Sequence, residues 1–268
     1  MASDPGDAWS GFCYAAGHRL EVTRTGGRSP TLVFLHEGLG SVSAWRDFPR
    51  RLAAATGCAT VVYSRWGYGQ SDPVVRPRPL RFMHDEALRA LPELLAELSI
   101  DDAVLIGHSD GASIALIYAG ALGARVRGLV LEAPHVFVED LCVRAITRIR
   151  ADYQRTDLAA RLGRHHADPD GAFYGWADAW LDPDFATSFH LEPYLPGVRV
   201  PSLIVQGEDD EYGTLAQVDA ICQNVQGRCE RLILPACGHA PHRDCAAEVL
   251  AAMTRFVATI EQAPPYAG

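Results

Sequence analysis

The sequence predicts an α/β protein: a mostly parallel, eight-stranded sheet with helices on both faces and a helical segment inserted after the sixth strand. Three observations lead there. Short apolar runs alternate with stretches of helical periodicity along most of the chain. Runs such as "TLVFLH" show no polar alternation, as strands buried on both faces require. The alternation stops once, from His135 to about Pro196, where helical spacing continues without a strand.

The elements follow in order. "FCYAAGHRLEVTRTGG" reads as two short strands around a turn near Gly17, an antiparallel start to the sheet. "TLVFLH" (Thr31 to His36) is the third strand, and Trp45, Phe48, Leu52 and Ala55 mark a helix after it. "CATVVYS" is a strand, and proline-rich "DPVVRPRPL" is loop. A longer helix sets Phe82, Ala87, Leu91, Leu94, Leu95 and Leu98 on one face. "AVLIGH" is a strand, "GASIALIYAGAL" a helix and "RGLVLEAP" the sixth strand. In the insertion, Val138, Leu141, Ala145, Ile149 and Tyr153 recur at helical spacing, as do Phe173, Trp176, Trp180 and Leu181. "SLIVQG" and "ERLILP" complete the sheet. The last helix starts near Asp244, read as its N-cap, and buries Val249, Leu250, Met253, Phe256, Val257 and Ile260. The tail "APPYAG" is expected to fray. The expected organisation is a core of residues 1–134 and 197–268, with 135–196 as a helical cap.

Composition narrows the function. The chain has 268 residues, 48% of them hydrophobic, enough for a sizeable core. A net charge of −9 argues against nucleic acid and anionic membrane surfaces as partners, since both demand clustered Lys and Arg. The densest basic stretch, "RPRPLR", is short and broken by prolines. "MASDPGDAWSG" lacks the basic and apolar regions of a signal peptide, and no apolar run reaches the length of a membrane span. Seven scattered cysteines without a CxxC pair fit reduced thiols in a cytosol better than a disulfide framework. The expectation is a cytoplasmic protein with a small-molecule substrate, monomer or homodimer.

One motif carries chemistry. "VLIGHSDGAS" places Ser109 between Gly107 and Gly111, a G-x-S-x-G pattern. It falls where a strand ends and a helix begins, as a nucleophile elbow requires. The turn is so tight that side chains two residues either way would collide, hence the glycines. Ser109 also lies at a helix N-terminus, which favours developing negative charge. The bland alternative is a serine that merely caps the helix. A reactive serine needs a general base, and the base an orienting acid. "LPACGHAPH" after the last strand offers His239, and "VQGEDDEYG" after the preceding strand offers Asp210. The order Ser, Asp, His and the location beyond strand C-termini suit open α/β sheets.

From about Phe12 to Val257 the sequence resembles the α/β-hydrolase superfamily. "FLHEGLGS", "YSRWGYGQSD", "GHSDGA", "VQGEDD" and "GHAPH", in this order, carry the resemblance. It implies Ser109 as nucleophile, His239 as base and Asp210 as orienting acid. Asp209 is the nearest rival to Asp210, and Glu132, at the end of the sixth strand, a distant third. His242 is the rival to His239. Lidded relatives insert a helical cap after the sixth strand, matching the insertion here. The oxyanion donors would be the backbone N–H of Asp110, which follows the nucleophile, and by register that of Gly38.

Relatives carry His-Gly-x where this chain has His36-Glu37-Gly38. The Glu37 carboxylate could receive a substrate cation or hydroxyl, but hydrogen bonding to nearby backbone, or pointing into solvent, is favoured. Asp110, in a helix's first turn, is read as complementing the dipole. His36 and His108 are read as structural, hydrogen-bonding loop backbone, while His135 is balanced between pocket and framework. His165-His166, and His239 with His242, lack an adjacent acid or cysteine to complete a ligand set, so no metal is expected, and no cofactor is implied. Gly67 and Gly69 do not make a phosphate loop, because the spacing is wrong and the lysine is missing.

The leading expectation is hydrolysis of an ester, thioester or lactone of a small apolar or aromatic acid through an acyl-enzyme. The aromatic residues Phe173, Tyr174, Trp176, Trp180, Phe185 and Phe189 motivate the acyl preference. Some of these must be core; Trp176 and Trp180 are the candidates for pocket lining. The alternative with the same triad is a C–C bond hydrolase acting on a β-diketone or ring-cleavage product. A non-catalytic ligand-binding member and a cofactor-free oxygenase complete the set.

Overall fold

The computed structural model describes residues 8–262. Its sheet has eight strands: β1 (Trp9–Ala15), β2 (His18–Thr25), β3 (Arg28–Leu35), β4 (Cys58–Tyr63), β5 (Ala103–His108), β6 (Val126–Glu132), β7 (Ser202–Gly207) and β8 (Cys229–Leu234). Their spatial order is β1-β2-β4-β3-β5-β6-β7-β8. β1 pairs antiparallel with β2, and β2 antiparallel with β4. Every pairing from β4 through β3 to β8 is parallel. β4, β5 and β7 are buried at every residue, which is why their sequences show no alternation.

The helices are α1 (Phe48–Thr56), α2 (Phe82–Asp85), α3 (Leu91–Glu97), α4 (Asp110–Ala121), α5 (Asp140–Arg155), α6 (Leu158–Leu162), α7 (Pro169–Trp180), α8 (Phe185–Ser188), α9 (Leu215–Asn224), α10 (Pro241–Asp244) and α11 (Ala246–Gln262). A wider helical turn, Glu86–Ala90, joins α2 to α3 and completes the predicted long helix. Trp45 is not in α1 as the spacing suggested. It closes a separate 3-10 turn, Ser43–Trp45, because Arg46 at φ 55° interrupts the helical path.

Two apolar layers cover the sheet. Leu32, Phe34, Val104, Ile106, Val130 and Val205 face α1 and α11 on one side. Val33, Leu35, Leu105, Leu129 and Leu131 face α3 and α4 on the other. Each fully buried Leu, Val or Phe contributes about 1.5–3 kcal/mol. α4 is buried from Asp110 through Ala119, apolar on all sides beyond its first turn. The residue before it is therefore set on a rigid base.

Between β6 and β7 lie α5 to α8 and a 3-10 turn, Glu192–Gly197. The buried stripe of α5 is Cys142, Ala145, Ile146 and Tyr153. Leu141 and Ile149 are only half-buried, so the helix is rotated from the predicted face. Phe185 stacks on Phe189 at 5.2 Å, and both meet Trp180.

Two expectations are corrected. Asp244 is not the N-cap of the last helix, because Pro241 starts a separate turn, α10, of which Asp244 is the last residue. Its carboxylate accepts the Gly238 N–H at 3.3 Å instead. Nor are all the cysteines free thiols: Cys222 and Cys229 form a disulfide with Cα atoms 5.5 Å apart, tying α9 to β8. Cys13, Cys58, Cys142 and Cys237 are unpaired and buried. No helix of the described residues is long and apolar enough to cross a membrane. The expected fraying at 263–268 lies outside the described residues.

Candidate active site

β5 ends at His108 and α4 begins at Asp110, leaving Ser109 alone at the corner. Its φ of 53° and ψ of −117° are unusual for a residue with a side chain. The glycines make the corner possible. A Cβ on Gly107 would lie 2.4 Å from the Gly111 carbonyl oxygen, and one on Gly111 would lie 2.0 Å from that of Leu35. The Ser109 N–H donates to the Glu132 carbonyl at 2.8 Å, pinning the corner to β6.

His239 and Asp210 arrive from the loops after β8 and β7. Ser109 Oγ is 2.9 Å from His239 Nε2. His239 Nδ1 is 2.8 and 2.9 Å from the two carboxylate oxygens of Asp210. Asp210 also accepts from Tyr212 N–H at 2.8 Å, Gly213 N–H at 3.2 Å and Gln206 Nε2 at 2.7 Å. Burial alone would raise the Asp210 pKa, but the His239 ring and these donors outweigh it and hold it at about 2. Burial would lower the His239 pKa, but the charge and hydrogen bond of Asp210 prevail and raise it. A carboxylate fixed on Nδ1 leaves Nε2 to take a proton from the hydroxyl.

The rivals fall elsewhere. Asp209 is exposed, and its backbone N–H donates to the Cys237 carbonyl. Glu132 and His242 pair with each other: Glu132 Oε2 accepts from His242 Nδ1 at 2.9 Å and from its N–H at 3.0 Å, both side chains buried. Two of the rival residues thus form a second carboxylate–histidine pair of their own.

Three other histidines serve backbone. His36 Nδ1 donates to the Glu37 carbonyl at 2.6 Å, and its Nε2 accepts the Arg65 N–H at 3.0 Å. His108 Nε2 donates to the carbonyl of His239 itself at 2.6 Å. His166 Nδ1 accepts the Gly69 N–H, and its Nε2 donates to the Leu39 carbonyl. His165 Nδ1 meets Ser43 Oγ at 2.8 Å. Gly69 lies in a packed structural loop, where a Cβ would be 2.1 Å from Ser64 Oγ. His135 is buried at the cavity wall, its ring 5.6 Å from both Trp180 and His239. Burial, then the neighbouring His239, lowers its pKa to about 3, so the ring is neutral.

A cavity of about 390 Å³ opens over Ser109. Gly38 and Asp110 border it beside the serine. The Trp176 indole nitrogen lies 2.1 Å from where a Cβ on Gly38 would stand, so the ring rests directly on that backbone. Among the aromatic residues of the insertion, Trp176 and Trp180 line the cavity, while Phe173, Phe185 and Phe189 are core. Asp110 does more than face a helix dipole. Its carboxyl is buried, accepts from Trp180 Nε1 at 3.2 Å and lies 3.9 Å from the Arg65 guanidinium. Burial raises its pKa to about 6, against the pull of Arg65 and Trp180. Glu37 reaches into the cavity, half-buried, with Oε2 3.9 Å from His108 Nδ1.

Cys142, Ile146, Tyr212 and Arg243 also line the cavity and were not singled out in the sequence, and Ile149, read there only as part of a helical face, joins them. Their only signal was membership of the inserted segment or of the loops after β7 and β8. Among the described residues, no group of three or more His, Cys, Asp or Glu is arranged to hold a metal ion.

Residues 32–252 match the model of the alpha/beta hydrolase family. The chain is 29% identical to the serine hydrolase BPHL of Mus musculus over 227 residues, 79% of this chain and 74% of that protein. It is 24% identical to 2-hydroxy-6-oxononadienedioate/2-hydroxy-6-oxononatrienedioate hydrolase 2 of Pseudomonas putida over 226 residues, 72% of this chain and 76% of that one. Its fold is similar to that of the enol-lactonase from Burkholderia xenovorans, with a TM-score of 0.69, 19% identity, and coverage of 94% of this chain and 100% of the other.

Proposed function

The chain belongs to the alpha/beta hydrolase family, and within it we propose a serine hydrolase that cleaves an ester, thioester or lactone of a small apolar or aromatic acid through an acyl-enzyme. The observation that carries this reading is the Ser109–His239–Asp210 relay, with Oγ to Nε2 at 2.9 Å, on the floor of the cavity.

Ser109 Oγ attacks the substrate carbonyl as His239 Nε2 takes its proton. Asp210 holds the imidazole in the required tautomer and stabilises the imidazolium. The N–H groups of Gly38 and Asp110 donate to the oxyanion, an effect of about 3–4 kcal/mol per donor in comparable sites. His239 then protonates the leaving group and activates the water that releases the acid. Residues 135–196 act as the cap that shapes the acyl site, presenting Trp176, Trp180, Ile146 and Ile149 to it. No cofactor takes part in these steps.

A C–C bond hydrolase on the same relay is the second reading, favoured by the likeness to the Pseudomonas putida protein, whose name specifies dioate substrates. The cavity bears Glu37, Glu211 and Asp244 against Arg243, a poor setting for a dianion, which supports the ester reading.

Intact-mass labelling with a fluorophosphonate tests the proposal. One adduct on the wild type and none on Ser109→Ala is expected. No adduct on the folded wild type would overturn it. A panel containing aryl and alkyl esters and a vinylogous 1,5-diketone then separates the two readings, with faster turnover of the esters expected.

A further inference from the structure

The cavity has two unlike sides. Toward the inserted helices it is apolar, with Cys142, Ile146, Ile149, Trp176 and Trp180. Toward the loops after β3, β5 and β8 it presents Glu37, His108, Arg243 and Asp244. Ser109 and His239 border both sides.

On the polar side an unmet hydrogen-bond demand stands out. His108 Nε2 carries its proton, because it donates to the His239 carbonyl at 2.6 Å. Burial and the neighbouring histidines lower the ring's pKa to about 4, so at neutral pH Nδ1 is a bare lone pair. His108 is 3% exposed, and its Nδ1 has no hydrogen-bond partner. The nearest carboxylate oxygen, Glu37 Oε2, is 3.9 Å away and is also an acceptor. Nδ1 is covered in this structure, and the partly exposed Glu37 side chain lies beside it; once that side chain shifts, one donor nitrogen about 2.9 Å from each acceptor bridges the two.

The charge around them has the matching sign. Glu37, Glu211 and Asp244 line the cavity with a single guanidinium, that of Arg243. Glu211 Oε2 and Asp244 Oδ2 lie 3.4 and 3.3 Å from where a Cβ on Gly238 would stand, so both flank the loop that carries His239. A negative, partly enclosed lobe concentrates cations. The leaving group must depart beside His239, which protonates it, and this lobe is bounded by the His239 loop.

We propose that Glu37 and His108 form a subsite for a protonated primary or secondary amine carried on the leaving group. The substrate class is then an apolar acyl ester of an amino alcohol: acyl chain under Trp176 and Trp180, ammonium between Glu37 and His108. This rests on the serine-hydrolase reading above. Glu37 keeps the backbone hydrogen bond expected from sequence, and the proposal adds the substrate cation as a second partner.

The test is a matched ester series at pH 7: piperidin-4-yl butyrate, whose ring nitrogen is charged and carries two N–H donors; cyclohexyl butyrate, its neutral isostere; and the N,N-dimethylpiperidinium ester, charged without donors. The expected kcat/KM is at least tenfold higher for the piperidinyl ester than for the cyclohexyl ester, with the dimethylated ester between them. In Glu37→Gln the piperidinyl-to-cyclohexyl ratio should fall to near one. A wild-type ratio near or below one, or a ratio unchanged in Glu37→Gln, overturns the subsite. The three-ester comparison needs no variant, so a misfolded Glu37→Gln does not blunt it. If the wild type turns over no ester, the same three compounds are compared as protectants of Ser109 against a fluorophosphonate. Equal protection then overturns the subsite alone, whereas absence of labelling overturns the hydrolase reading and the subsite with it.

Discussion

Two carboxylate–histidine pairs lie close together in this molecule, and the proposed function gives them different work. Asp210–His239 and Glu132–His242 share nearly the same nitrogen-to-oxygen distance, 2.8 and 2.9 Å. Both carboxylates are almost fully buried, and in both the histidine's charge and hydrogen bond pull the carboxyl pKa down against burial, which would raise it. The difference lies on the far side of each ring. His239 turns Nε2 to Ser109 and keeps 14% of its side chain exposed to the cavity. His242 is 6% exposed, with Trp45 at 4.7 Å and Phe48 at 5.6 Å against its ring. His108 stands between them, 5.3 Å from one histidine ring and 5.1 Å from the other. Under the proposed function, pairing alone does not make a catalytic dyad; the nucleophile and the open path on the second nitrogen set Asp210–His239 apart from Glu132–His242.

The comparison breaks most visibly at the first pair. Asp210→Asn should lower kcat on a reactive aryl ester by about 10⁴-fold, because the imidazole loses the partner that sets its tautomer. His239→Ala should cost a similar factor. Both variants break a buried pair and should lose some Tm, so kcat is compared below the lower of the two unfolding temperatures. A loss of less than tenfold for either would mean that this pair does not drive the chemistry.

At the second pair the effect should fall on stability instead of activity. Glu132→Ala leaves the His242 ring and backbone N–H buried without their acceptor, at a cost of about 3 kcal/mol. That corresponds to a fall in Tm of roughly 8 °C for a chain of this size. Ser109 hydrogen-bonds the backbone carbonyl of residue 132, not its side chain, so fluorophosphonate labelling below the new Tm should persist. Loss of labelling with little loss of Tm would promote Glu132 to a catalytic role.

The pairs also predict a smaller effect on pH dependence. In the proposed mechanism His239 must be neutral to accept the serine proton, and its pKa lies above the ordinary histidine value because Asp210 outweighs burial. The acid limb of kcat/KM should therefore have its midpoint above about 6.5, with activity rising as pH rises. In Asp210→Asn the residual activity should show that midpoint moved down, because the charge and hydrogen bond that raise the His239 pKa are lost. An unmoved limb would assign it to another group.

Much of this was legible because the informative residues are local. Flat apolar runs announce β4, β5 and β7, since strands buried on both faces have no polar side to show. The G-x-S-x-G corner is a steric statement within five residues, and Asp210 and His239 each follow a readable strand. What stayed hidden depends on contacts between distant residues. Glu132 and His242 are 110 positions apart, and each in isolation looked like a rival to a triad member. The Cys222–Cys229 disulfide joins the end of a helix to the start of a strand, and no CxxC spacing announces it. The roles of Arg65 and Asp110 come from burial, and neither a helix pattern nor a turn signal reveals that an acid at the N-terminus of a helix points inward. Asp244 was misplaced because a single proline, Pro241, split one expected helix start into two.

The smallest expected effect sharpens the comparison where sequence alone was least decisive, at the adjacent aspartates 209 and 210. They differ by one position, but Asp209 lies in the turn that follows β7, and the two side chains end in opposite settings. Asp210 is turned inward under three donors and the His239 ring, whereas Asp209 is exposed and engages the fold through its backbone N–H. Asp209→Asn keeps that N–H and alters only a solvated charge, so it should change stability by no more than about 0.5 kcal/mol. Its kcat should stay within about twofold of wild type, since a charge in water is screened from the relay. Steady-state kinetics of Asp209→Asn beside Asp210→Asn would measure how much of the acid's function resides in its orientation. Equal losses in the two variants would mean that negative charge near His239, rather than a directed hydrogen bond to Nδ1, is what the relay requires.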